Sequence, residues 1–363
     1  LDPQVQKAME PFHREIFANP SSQHKMGLEA KMAVDKARKS IAEKLNCQSS
    51  EIIFCASGTE ANNIAIQGIA RANIEKGNHL ITTKIEHKSV LNVFAHLEKE
   101  GFRVTYLDVN KDGLINPEDL KSAITDQTIL VSIIYANNEI GVIEPIKELG
   151  EICKKAHIPL HTDACQAAPY LSLDTKELNI DLLSLNGSKI YGPKGSGALF
   201  IKDQLKLSPI IFGGNQENGL RSGTHNTAGI IGLATALELC EKFSHTELEN
   251  LRNHLLQELL QKIPKATLNG SLSHRLPNNI NISIPNINGK ELLFQLSEKG
   301  IMASTGSACS AKKASPSHVL LALGLSKELV EGSLRLSLGR YTTEKEIQYA
   351  IEEIPKIIKH LIQ

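Results

Sequence analysis

A chain of 363 residues is long enough for one large domain and a smaller companion, each with its own buried core. Its composition, 41% hydrophobic and 22% charged, is ordinary for a globular enzyme. Lys plus Arg match Asp plus Glu at 40 each and aromatics are 4% with no Trp, so both the basic excess and the stacking side chains of a nucleic-acid reader are missing.

No uninterrupted apolar run approaches a membrane span, and no secretory leader opens the chain. Cys47, Cys55, Cys153, Cys165, Cys240 and Cys309 are scattered without a C-x-x-C pair. That scatter argues against a disulfide framework or a structural zinc and suits a reducing compartment. Cytosol is the expected location, and an organelle matrix stays open because a leader could already have been removed. The abrupt start at Leu1-Asp2-Pro3 suggests that residues upstream are missing.

In chain order, a helix with Ala33, Ala37, Ile41 and Leu45 on one face precedes seven β-rich runs. These are 51–55, 79–83, 103–109, 129–135, 158–162, 181–185 and 198–201. Helical patterns at 59–76, 89–100 and 146–155 lie between several of them, which implies βαβ units and a mostly parallel sheet covered on both faces. A helix over 227–243 leads to a second region with helix 247–261, strand 279–284, a Gly/Ser-rich stretch 304–317, strand 333–338 and a closing helix from 343. The expected fold is α/β: a large domain with a seven-stranded, mostly parallel sheet flanked by helices, plus a smaller α+β domain. The large domain spans 11–244 and the small one 245–363, with residues 1–10 packing on the latter.

Three patterns are set aside. Asp108-x-Asn110-x-Asp112-Gly113 with Asp119 imitates a calcium loop, but the twelfth place lacks Glu and the flanks are a strand and a helix capped by Asn116-Pro117. No metal is expected. Gly214-x-x-x-x-Gly219 is followed by Leu220-Arg221 where a phosphate loop requires Lys-Ser/Thr. The sequons at Asn186, Asn269 and Asn281 lack any secretory context.

The informative segments sit where strands end. Residues 51–55 run into Ala56-Ser57-Gly58-Thr59-Glu60, a glycine turn opening a helix, which is one way to cradle phosphate. Thr59 reads equally well as a plain N-cap. His161-Thr162-Asp163-Ala164-Cys165-Gln166 closes one strand and Asn186-Gly187-Ser188-Lys189 another, at the edge where open α/β sheets place ligands. A carboxylate and a lysine there are parts of a pyridoxal phosphate site. Taken singly, such a Lys is usually solvated and such an Asp often caps a helix.

The full set of motifs, in order, resembles the cysteine desulfurases, fold-type I enzymes of the class V aminotransferase group. It comprises Asn19-Pro-Ser-Ser-x-His24, Ser57-Gly-Thr-Glu60, Glu86-His87-Lys88, Asn137-Asn-Glu-Ile-Gly141, Asp163-x-x-Gln166, Lys189-Ile-Tyr-Gly-Pro-Lys-Gly195, Arg221-Ser-Gly-Thr224, Gly306-Ser-Ala-Cys309 and Arg335-x-x-Leu-Gly-Arg340. The match runs from about Asn19 to Arg340, and Gly-Ser-Ala-Cys is its most specific part. The resemblance implies a homodimer that uses pyridoxal 5'-phosphate to convert L-cysteine to L-alanine. Sulfur would be held as a persulfide on Cys309 for an acceptor protein, such as an iron–sulfur scaffold, or for a thiolation pathway. By the same resemblance Lys189 attaches the cofactor and moves protons at the substrate Cα. Asp163 pairs with the ring nitrogen, Gln166 with the ring oxygen, and His87 stacks on the ring as an acid/base group. Gly58 and Thr59 bind phosphate with Asn186 and Ser188, and Thr224 reaches in from a second subunit. Asn138 lies by the ring oxygen and the substrate, and Arg335 forks onto the substrate carboxylate. Cys309 attacks as a thiolate, for which it needs a lowered pKa or a nearby base.

Three departures stand out. The N-terminal strand that relatives carry before Leu1-Asp2-Pro3, which the resemblance implies contributes near the substrate, is absent from this sequence. Relatives usually carry Ser-Gly-His-Lys where this chain has Asn186-Gly187-Ser188-Lys189, so retained but weaker phosphate binding is expected. The chain ends at Gln363 without the longer tail some relatives use to dock a scaffold. A selenocysteine lyase or another class V enzyme is the nearest alternative, and a catalytically silent interaction protein the more distant one.

Overall fold

The structure, a computed structural model, describes residues 1–306 and 316–362. Two compact units emerge. The first comprises Leu1–Leu107, Pro117–Tyr135 and Pro145–Lys242, and the second Asp108–Asn116, Ala136–Glu144 and Phe243–Gln363.

The first unit opens with α1 (Pro3–Arg14) and α2 (Lys25–Lys44). Asp2 caps α1 by accepting from Gln4 N at 2.8 Å, and Pro3 takes the first turn, where its missing N–H costs nothing. Then follow β1 (Ile52–Cys55), α3 (Gly58–Ala72), β2 (His79–Thr83), α4 (Lys88–Lys99), β3 (Arg103–Leu107), α5 (Pro117–Ala123) and β4 (Thr128–Ser132). The unit closes with α6 (Ile146–Lys155), β5 (Leu160–Asp163), β6 (Leu182–Asn186), β7 (Gly197–Ile201) and α7 (Thr227–Cys240). Residues 1–10, expected on the second domain, belong here: α1 packs on α7, and Asp2 N donates to Tyr191 O at 2.9 Å. The apolar face that holds α1 is offered by α7, which is buried on nearly every side.

The sheet order is β1-β7-β6-β5-β4-β2-β3. All neighbours pair in parallel except β7, which is antiparallel to both β1 and β6. Strand β4 is buried throughout, as expected for a parallel strand with helices on both faces. Helix α3 buries Ala61, Ile64, Ala65 and Ile69 at three- and four-residue spacing against β-strand side chains such as Leu80 and Leu182. Truncating Ile64 or Ile69 to Ala would cost about 2–5 kcal/mol. Because β1, β6, β5, β4, β2 and β3 all point one way, their carboxyl ends form a single edge.

The second unit contains α8 (His245–Lys262), β8 (Thr267–Leu268), β9 (Asn279–Ser283), α9 (Gly289–Glu298), α10 (His318–Ala322), α11 (Lys327–Glu331), β10 (Ser333–Ser337) and α12 (Glu344–Ile362). Its three strands are antiparallel in the order β10-β9-β8. Helix α12 lays Ile347, Ile351, Ile354 and Ile358 against α8 and α9. Residues 108–116 and 136–144, which fall inside the expected large domain by position, group with this unit. In the first of them Asn110 Oδ1 accepts from Asp112 N and Leu114 N, so the calcium-loop look-alike is built as a turn. Among the described residues no helix is long and apolar enough to cross a membrane.

Candidate functional site

The carboxyl edge of the first unit's sheet gathers most of the residues singled out above. Strand β1 delivers Ala56 and Ser57, and Ser57 Oγ caps α3 by accepting from Glu60 N at 3.2 Å. Glu60 answers by accepting from Ala56 N at 2.6 Å. Gly58 is required because a Cβ there would come 2.4 Å from Cys165 Sγ. The start of α3 is thus pressed against the segment that follows β5. The first-turn N–H groups of a helix lack intrahelical partners and carry the positive end of its dipole, so this turn is suited to an anion. Thr59 is exposed beside it.

Asp163 ends β5 and is only 5% exposed. Its Oδ1 accepts from Cys165 N at 3.0 Å, and its Oδ2 from Asn62 Nδ2 at 2.7 Å. The same Asn62 nitrogen donates to Ser89 Oγ at 2.8 Å. Ser89 Oγ lies 2.7 Å from His87 Nδ1, which also accepts from Ser89 N at 3.1 Å. A continuous chain therefore runs from the buried carboxylate through α3 to the imidazole that caps α4. His87 and Thr59 share one hollow of about 440 Å³, which Ser89 also lines. Asn62 and Ser89 were not anticipated. An Asn on the otherwise apolar buried side of α3 was the one available signal.

Lys189 closes a single 3-10 turn, Gly187–Lys189, after β6 and is exposed. Burial pushes the Cys165 thiol well above its ordinary pKa, Asp163 pushes it further, and the charge of Lys189 opposes both. Lys189 therefore stands within electrostatic reach of Cys165, which is itself inert as a nucleophile. Ser188 donates both its N–H (3.3 Å) and its hydroxyl (3.1 Å) to Asn186 Oδ1. In this arrangement the two substituted residues satisfy each other within their own turn. Gln166 is half-buried three residues beyond Asp163.

Thr224 is exposed on a loop that two ion-pair clusters secure. Arg221 Nε donates to Glu60 Oε1 at 2.7 Å, fastening the loop to the first turn of α3. Glu217 accepts from Arg38 Nη1 (2.9 Å), Arg38 Nη2 (2.6 Å) and Phe54 N (2.7 Å), and pairs with His225 Nε2 at 2.5 Å. Burial raises its pKa, but the bonds from His225 and Arg38 outweigh this and bring it to about 2.

In the second unit, Arg335 on β10 donates from Nη1 to Asn138 O at 3.0 Å and exchanges backbone bonds with Ser304. Glu139, the next residue, accepts from Ser317 Oγ at 2.5 Å, and its carbonyl accepts from Asn279 and Asn281 side chains. Cys309 lies outside the described residues. The first unit thus brings together Gly58, Thr59, His87, Asp163, Asn186, Ser188 and Lys189, and the second joins Asn138 to Arg335.

Comparison with known proteins adds the following. A model of the family Aminotransferase class-V matches residues 1–350. Cysteine desulfurase IscS of Clostridium botulinum is 52% identical over 98% of the chain and 91% of its own length. Cysteine desulfurase IscS of Methanosarcina thermophila is 49% identical, over 99% and 89% respectively. Among solved structures, a NifS-like protein superposes with a TM-score of 0.93 at 36% identity, covering 99% of this chain and 97% of its own. SspA in complex with cysteine gives a TM-score of 0.85 at 38% identity, covering 94% and 97%.

Proposed function

The chain belongs to the class V aminotransferases and, within them, to the cysteine desulfurases, and on that premise we propose how its own residues divide the work. The enzymes of this family depend on pyridoxal phosphate, and the residues at the sheet edge fit it. A nearly buried carboxylate, Asp163, suits a protonated ring nitrogen, and the open first turn of α3 suits the phosphate. An exposed amine, Lys189, follows the neighbouring strand β6. When bound, the cofactor supplies an electron sink next to the substrate Cα.

Lys189 anchors the cofactor and moves the proton at the substrate Cα. Asp163, held by Asn62 and Cys165 N, keeps the ring nitrogen charged. Gly58 and Thr59 bind the phosphate, with Asn186, Ser188 and, from a second copy of the chain, Thr224. His87 would contact the ring, and Gln166 and Asn138 would hydrogen-bond near its oxygen. Arg335 binds the carboxylate of L-cysteine, its guanidinium fork matching the two oxygens. The Cys309 thiolate attacks the substrate sulfur: an S–S bond forms, the C–S bond breaks, and the carbon skeleton leaves as L-alanine after protonation. Sulfur then passes to an acceptor protein, an iron–sulfur scaffold being the natural candidate, in the cytoplasm.

The observation that carries this reading is the chain of hydrogen bonds joining Asp163 to His87 on the edge that also presents Lys189. The test is to supply L-cysteine and quantify alanine and sulfide for wild type and Cys309→Ser. Sulfide release should be lost in the variant, and undiminished release would remove Cys309 from the mechanism.

A further inference from the structure

Hydrogen bonds around His87 determine which ring nitrogen carries its proton. A backbone N–H can only donate, and Ser89 N points at His87 Nδ1 over 3.1 Å, so Nδ1 acts there as an acceptor. The Asp163 carboxylate accepts, so the end of the Asn62 amide facing Oδ2 must be its NH2 group. That nitrogen gives its second hydrogen to Ser89 Oγ at 2.8 Å. Ser89 has one hydroxyl hydrogen, and Nδ1 lies 2.7 Å away with its lone pair toward it. Each donor in the series therefore has one role: Asn62 gives to Asp163 and Ser89, and Ser89 gives to Nδ1 through both oxygen and nitrogen.

We propose that Asn62 and Ser89 are positioning residues that lock His87 in its Nε2–H tautomer, so that it meets the reacting groups as a hydrogen-bond donor through Nε2. The inference rests on the reading of His87 as a site residue and narrows it. A ring already protonated at Nε2 can take a further proton only at Nδ1, where two donors are aimed. Its Nε2–H is matched to an acceptor that carries negative charge. The carboxylate that serves the cofactor ring thereby orients, two side chains away, the group that serves the substrate.

The tautomer is directly readable. Holoenzyme labelled with 15N-histidine contains 13 histidines, and the His87 signals are those lost in His87→Gln. Long-range proton–nitrogen correlation should show a protonated Nε2 and an unprotonated Nδ1 for this ring. In Ser89→Ala the two nitrogen shifts should move toward each other as the second tautomer becomes populated, and Ser89→Thr should restore the wild-type pair. A proton on Nδ1, an averaged pair in wild type, or an unchanged Ser89→Ala spectrum would overturn the proposal. If Ser89→Ala does not fold, the wild-type spectrum still decides the tautomer. Sulfide release from L-cysteine by the same wild-type sample separates the two levels. Its absence counts against the proposed function, whereas its presence with a proton on Nδ1 counts against the tautomer alone.

Discussion

Replacing Glu217 with Gln removes the charge from a carboxylate surrounded by Phe54 N, both terminal nitrogens of Arg38 and His225 Nε2. Its side chain is 2% exposed and that of Arg38 17%, so water screens the pair little. Burial alone would lift the Glu217 pKa. The bonds from His225 and Arg38, the Arg38 charge and Phe54 N instead bring it from 4.5 to about 2. A folded-state pKa below the unfolded one means that the stabilisation is present above about pH 4.5 and disappears as pH falls toward 2. At roughly 1.36 kcal/mol per pH unit the shift amounts to about 3 kcal/mol. Losing the charge while Arg38 stays partly buried should cost a similar amount, about 3–5 kcal/mol, at neutral pH. Urea unfolding followed by circular dichroism would measure it. The midpoint of Glu217→Gln should fall well below wild type at pH 7, and the gap should narrow steadily between pH 4.5 and 2. A gap of constant size across that range would refute the electrostatic account and leave only lost packing.

Glu144 is predicted to behave with the opposite sign: burial raises its pKa to about 8 against the opposing bond from Ile115 N, so stability is lost as pH climbs from about 4.5 to 8. Glu144→Gln should remove most of that slope, worth at most roughly 5 kcal/mol, and an unchanged slope in urea titrations at pH 6 and 9 would count against it. Asp163→Ala should weaken pyridoxal phosphate binding by at least about tenfold, an effect read from the visible absorbance of the cofactor during titration. Gly58→Ala should lower both stability and cofactor affinity, by about 1–3 kcal/mol, because its Cβ meets Cys165 Sγ at 2.4 Å. Adding Cys165→Ala should recover part of that loss, and a double variant no better than Gly58→Ala would place the fault elsewhere.

Much of the first unit's order was readable because a buried parallel strand leaves a plain mark. The runs at 79–83 and 146–155 coincide with β2 and α6, and the other strands differ by one to three residues at an end. Helix α1 went unread although Asp2-Pro3 is a start signal, because its apolar positions are few and only Val5 and Met9 are buried. Strand order and the reversed direction of β7 depend on pairing between distant segments, which periodicity does not report. The same limit applies to the site. Its ends-of-strand residues announce themselves through Gly, Asp and Lys in turn contexts. The Asn62–Ser89 bond spans 27 positions and forms only once α3 and α4 lie side by side. Likewise, segment 136–144 carries Asn138 into the second unit, a grouping set by its bonds to Asn279, Asn281 and Arg335 rather than by its place in the chain.

The reversed strand β7 acts as a spacer of fixed width. It lies between β1 and β6, so the turn at Gly58 and the turn at Lys189 spring from strands about two inter-strand spacings apart, or roughly 9.6 Å. Running backwards, β7 begins at this same edge, and it begins with Gly197, where a Cβ would come 2.8 Å from both the Ser57 carbonyl carbon and Leu185 O. The bare backbone at that point lets the α3 turn lean across the strand's end until Gly58 nears Asn186, where an added Cβ would meet the Asn186 Cβ at 3.3 Å. Pitch along the sheet is therefore quantised in whole strands, and one glycine trims the remainder. A ligand held at both turns must match a length that neither turn can adjust by itself.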